Sequence, residues 1–134
     1  MRREALYLRD IVEAADSIRL FIEGADAETL ATNHLLRSAV LHQMIVLGEA
    51  AARVPPATRE LLPEVAWKDI IAFRNILVHA YFRIDLGIVW KAIINDVPAF
   101  SESVSSLLAE RFPDEAASDP SRGQVSKRET QSST

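Results

Sequence analysis

Residues 67–84 read WKDIIAFRNILVHAYFRI, and this stretch decides how the rest of the chain is interpreted. Its apolar residues recur at helical spacing, which predicts one helix from about Ala66 to Phe82. Within eight residues it also carries Arg74, Asn75, His79 and Tyr81. A helix made only for a core has no use for these four together, because each buried polar group needs a partner or costs free energy.

Ideal helix geometry sorts them. At about 100° per residue, Tyr81 falls about 20° from Arg74, two turns further along the same stripe. Asn75 and His79 are an i,i+4 pair on a second stripe, and His79 lies about 140° around from Arg74. One straight helix cannot aim Arg74 and His79 at a single small group. Either the helix is distorted, or a second copy of the motif completes the site. The apolar residues form two stripes as well. Ile70, Phe73, Leu77, Ala80 and Ile84 are expected in the core, and Ile71, Val78 and Phe82 on a separate face. A helix apolar on two faces has a second partner to bury against, and a two-fold axis sets the same patch opposite itself. The expectation is a homodimer with a site shared between its chains.

The run Arg74-Asn75-Ile76-Leu77-Val78-His79-Ala80-Tyr81 resembles the Arg-x-x-x-x-His-x-Tyr signature of the HepT-like toxins, members of the HEPN superfamily of α-helical ribonucleases. The likeness extends, in order, to Tyr7-Leu8-Arg9-Asp10-Ile11, Gly48-Glu49-Ala50-Ala51, Trp67-Lys68-Asp69-Ile70-Ile71 and Asp85-Leu86-x-x-Val89-Trp90. It covers roughly residues 5–110. The resemblance implies the toxin half of a type VII-like toxin–antitoxin pair, an endoribonuclease acting on tRNA or mRNA. Its implied partner is a minimal nucleotidyltransferase antitoxin that attaches AMP to the motif tyrosine, here Tyr81.

Composition sets the outer limits. The 134 residues suit one domain, and 49% are hydrophobic, enough for a conventional core. There is no cysteine, which excludes disulfides and thiolate chemistry and fits a reducing cytosol. The N-terminus MRREALYLRD is charged where a signal peptide needs an apolar run, and no stretch reaches membrane-spanning length. A cytoplasmic protein without membrane partners is expected. The net charge of −4 argues against broad, charge-driven nucleic-acid binding. Between Arg53 and Lys91, however, six Lys/Arg face four Asp/Glu, a local +2 that leaves −6 on the rest. Such a region suits a few phosphate contacts.

The chain reads as all-α, an up-and-down bundle of four main helices over residues 1–112. The first helix carries Leu6, Ile11, Ala14, Ile18 and Phe21 over residues 3–23, with Gly24 as a stop. The second runs from about Asn33 to Arg53, ended by Pro55-Pro56; its close is rich in small residues, which lets another helix approach. Asp26 is placed at the cap of a short turn, residues 57–62 in one further turn, and Asp85 at the N-cap of a last helix bent at Pro98. From Pro113 to Thr134 only Ala116, Ala117 and Val125 are apolar, too few to offset ordering, so a disordered tail is expected.

Simpler roles stand beside the functional ones. His79 could be a satisfied core histidine, Arg74 an ion-pair partner of Glu49, Asn75 a backbone ligand and Tyr81 an amphipathic interface residue. An ion pair to Glu49 would still be compatible with function, since it orients the guanidinium. His34 and His42 have no ligands at metal-binding spacing, so neither a metal site nor a cofactor is expected. The catalytic set is taken as Arg74, His79 and Asn75. RNA supplies its own 2′-hydroxyl nucleophile. An imidazole, with an ordinary pKa of about 6.5, can take that proton or protonate the leaving oxygen. The alternative is a non-catalytic helical module that binds a nucleotide or docks a nucleotidyltransferase, with His79 structural.

Overall fold

The computed structural model describes residues 2–114. Every regular element among them is helical. In chain order these are α1 (Arg3–Phe21), α2 (Ala27–Thr32), α3 (His34–Arg53), α4 (Pro56–Arg59) and α5 (Trp67–His79). A 3₁₀ turn (Tyr81–Arg83) follows, then α6 (Leu86–Lys91), a π-helical segment (Ala92–Asp96) and α7 (Val97–Arg111). The four long stretches expected from the sequence are α1, α3, α5 and the combined α6–α7. The tail expected to be disordered lies, from residue 115 onward, outside the described residues.

Local chemistry sets the boundaries. The chain turns after α1 at Gly24, whose φ of +75° is left-handed and costs glycine little. Asp26 caps α2 by accepting the Thr29 N–H at 2.8 Å, and Thr29 returns the bond through its hydroxyl oxygen. The Thr29 N–H, and the Thr29 hydroxyl that also donates to the carboxylate at 2.8 Å, hold the Asp26 carboxyl below the usual carboxylate range. Asn33 caps α3 through the Leu36 N–H at 3.0 Å, and Asp85 caps α6 through the Gly87 N–H at 2.9 Å.

α1 packs on both α3 and α7, while α5 packs mainly on α3 at the edge of the bundle. The core stripe of α1 is Ala5, Leu8, Ile11, Val12, Ala15 and Ile18. Leu6 and Phe21, expected on that stripe, are exposed. Leu6 is rotated about 100° from Ala5, and Phe21 is the last helical residue. The start of α5 is anchored by Trp67, which meets Phe100 edge-on at 5.3 Å and donates its indole N–H to the Leu62 carbonyl at 3.3 Å.

Two boundaries differ from expectation. The motif helix does not reach Phe82, because Ala80 leaves helical geometry at φ −127°, ψ 33°. The next residues close a 3₁₀ turn, with the Arg83 N–H bonded to the Ala80 carbonyl at 2.9 Å. This turn lets Tyr81, Ile84 and Leu86 pack against the core before Asp85 starts α6. The bend expected at Pro98 takes the form of the π segment just ahead of it. Proline lacks an N–H and its ring opposes the carbonyl four residues back, here Ile94; a widened turn is one way to accommodate it.

Candidate functional site

The centre of the site is the crossing of α3 and α5. Gly48 faces Arg74 so closely that a Cβ added to Gly48 would lie 2.4 Å from the Cβ of Arg74 and 2.6 Å from its Cγ. Any side chain at 48 would therefore force α5 or Arg74 away. The next residue, Glu49, takes hold of the arginine: Arg74 Nη1 donates to Glu49 Oε1 at 2.5 Å. The Arg74 side chain is 21% exposed and that of Glu49 44%. Arg74 Nε is buried and meets no acceptor among the described residues. The guanidinium thus has one edge turned inward and one end held by a carboxylate.

The rest of the motif is distributed around this pair. Asn75 lies on the exposed face, and His79 is the last residue of α5, also exposed. The core-histidine reading of His79 does not hold. Because α5 is helical through His79, the separation of about 140° between Arg74 and His79 stands, and the distortion comes too late to bring them together. Tyr81 is half-buried in the 3₁₀ turn, its ring edge-on to Phe82 at 5.3 Å. Its placement on the Arg74 stripe assumed an unbroken helix and is corrected by the break at Ala80. His34 and His42 are exposed, and no group of three or more metal-ligating side chains occurs among the described residues.

Around the motif the apolar surface is uncovered. Ile76 and Val78 are about half exposed, and Phe82 is 96% exposed. None of the motif side chains lines the depression of about 540 Å³ between the start of α5 and α6–α7, where Met44, Phe73 and Phe100 form walls and Asp69 and Asp96 add charge. Within one chain Asn75 and His79 are displayed on the exposed surface of α5. One turn beyond Glu49, the exposed Arg53 approaches Asp10 of α1; burial raises the Asp10 carboxyl above its ordinary value, against the pull of Arg9 and Arg53. No helix among the described residues is long and apolar enough to cross a membrane.

The profile of the family described as Ribonuclease HepT-like matches residues 11–107, which hold all of these residues except Arg9 and Asp10. Among curated proteins, the chain is 36% identical over 98 residues to "Putative RNase MJ1380" of Methanocaldococcus jannaschii, covering 73% of this chain and 90% of that one. It is 31% identical over 101 residues to "Probable ribonuclease HepT" of Thermococcus cleftensis, covering 75% and 92%. No solved structure gives a significant match.

Proposed function

The chain belongs to the HepT-like ribonuclease family, and we propose that it is a metal-independent endoribonuclease whose active site is shared by two copies of the chain. The observation that carries this reading is the arrangement on α5. A sequestered, pre-oriented Arg74 is followed by exposed Asn75 and His79, all beside apolar surface that the described residues leave uncovered. A two-fold pairing of α5 would bury Ile71, Val78 and Phe82 and set one chain's Arg74 near the partner's His79.

In that site the RNA 2′-oxygen attacks the adjacent phosphorus as one His79 takes its proton. The bond from phosphorus to the 5′-oxygen breaks, and the partner's His79 protonates the departing oxygen. Arg74 stabilises charge on the non-bridging oxygens, and Asn75 positions the phosphate or the imidazole. The products are a 2′,3′-cyclic phosphate and a 5′-hydroxyl. The biological role is that of a toxin in the cytoplasm, with tRNA or mRNA as substrate. A nucleotidyltransferase antitoxin would silence it by adenylylating Tyr81. The added phosphodiester and base would bring negative charge and bulk to the motif surface and so exclude substrate.

The test is RNA cleavage by the purified protein in EDTA. Wild type cleaves, and Arg74→Ala and His79→Ala each lose on the order of 10²-fold or more while keeping their helical circular dichroism. Activity that disappears with EDTA and returns with a divalent ion sinks the metal-independent mechanism. For the switch, Tyr81→Phe keeps activity and takes up no adenylyl group from a co-expressed nucleotidyltransferase. An adduct on Tyr7 instead of Tyr81 overturns it.

A further inference from the structure

The contacts of Arg74 raise a question that the cleavage mechanism leaves open. A guanidinium grips phosphate best through two parallel N–H bonds from one edge. The edge formed by Nε and one terminal nitrogen is blocked, because Nε is buried. The other edge includes Nη1, which donates to Glu49 Oε1. A phosphate approaching the free nitrogen would meet the Glu49 carboxylate beside it, and like charges at that range repel. The arginine is oriented in the free protein but not free to bind.

Glu49 has somewhere else to go. Arg53 lies four residues further along α3, is exposed, and forms no ion pair with another described residue. A glutamate four residues before an arginine on one helix is the favourable order for an i,i+4 pair. Asp10, the carboxylate whose charge Arg53 and Arg9 favour, is the other acid near Arg53 and would share it. Arg74 itself cannot move far, since its Cβ and Cγ are wedged over Gly48. Of the two partners Glu49 is the mobile one, being 44% exposed against 21% for Arg74.

We propose that Glu49 is a positioning latch on the phosphate site: it holds Arg74 in the empty enzyme and swings to Arg53 when a substrate phosphate takes the arginine. This rests on Arg74 being the phosphate ligand of the reading above. The latch keeps stray small anions off Arg74, because each must displace a carboxylate already in place. RNA succeeds because its further contacts offset that competition.

The test uses the full-length chain and inorganic sulfate as probe, followed by the NMR signal of the Arg74 Nε–H, which burial shelters from exchange. Glu49→Gln keeps an acceptor for Nη1 but removes the charge. It should bind sulfate about threefold to fivefold tighter than wild type, the range of a partly exposed ion pair. The KM for RNA falls in proportion while kcat stays within about twofold. Arg53→Gln weakens sulfate binding in the wild-type background and much less in the Glu49→Gln background, which a general field effect of Arg53 would not do. A purely structural Glu49 would give a lower Tm with sulfate affinity unchanged; that result, or weaker binding by Glu49→Gln, overturns the latch. If wild type cleaves no RNA yet sulfate binding follows this pattern, the nuclease reading falls and the latch stands.

Discussion

α1 and α5 are both rich in apolar residues, yet they bury them very differently. Seven of the 19 residues of α1 are buried, against two of the 13 of α5. The reason is position. α1 lies between α3 and α7 and finds a neighbour on two sides, whereas α5 rests on α3 at the edge. Ile76, Val78 and, just beyond the helix, Phe82 are therefore left in solvent. Apolar content reports that a face wants covering; only the packing reports whether its own chain covers it. In α5 the uncovered face adjoins the polar motif, which is where a second chain would contribute most.

The sharpest contrast is between neighbours in sequence. Leu77 is fully buried and Val78 is 48% exposed. Leu77→Ala should cost about 2–5 kcal/mol of stability by opening a cavity, measured by urea unfolding. A loss under about 1 kcal/mol would mean that α5 is not anchored to the bundle there. Gly48→Ala should cost about 1–3 kcal/mol, because the new methyl has no room against Arg74, and should depress cleavage further than stability alone explains. An unchanged Tm would show that the two helices separate easily.

Val78→Asp tests the other half of the contrast. It should leave the unfolding of the single chain within about 0.5 kcal/mol of wild type, as for an exposed site. Its effect should fall on association, giving a monomer by light scattering and no cleavage. A wild-type protein that is itself a monodisperse monomer breaks the shared-site argument.

The smallest effect is expected inside the well-packed region. Burial raises the folded-state pKa of Asp10, so its ionised form opposes folding once the pH exceeds the ordinary carboxylate range. Asp10→Asn should raise Tm slightly at pH 7, with the gain fading as the pH falls toward about 4, because wild-type Asp10 is protonated in the folded state before it reaches the ordinary carboxylate range. A loss of stability at pH 7 would mean that the attraction of Asp10 to the charges of Arg9 and Arg53 outweighs its burial.

Much of this was legible in the chain itself, for reasons that are local. Asp26, Asn33 and Asp85 cap helices because their side chains reach N–H groups two or three residues on, and such contacts follow from sequence separation alone. Gly24 could be placed as a stop, and the Gly48–Glu49 pair as a close approach beside an ion-pair partner. The end of α5 was not legible. Ala80 has every local reason to continue a helix and leaves it because Tyr81, Ile84 and Leu86 gain more by turning onto the core.

What the sequence determined by itself is the all-α fold, its caps, the polar motif and the family to which the chain belongs, since each depends on residue type at fixed spacing. Tertiary structure decided what no spacing contains. It set which apolar stripe of α5 is covered, that Asn75 and His79 face outward, and that Arg74 is locked between Gly48 and Glu49 with one edge sealed. Those outcomes depend on where α3 and α5 cross, and a crossing is set by the competition of all faces for one core.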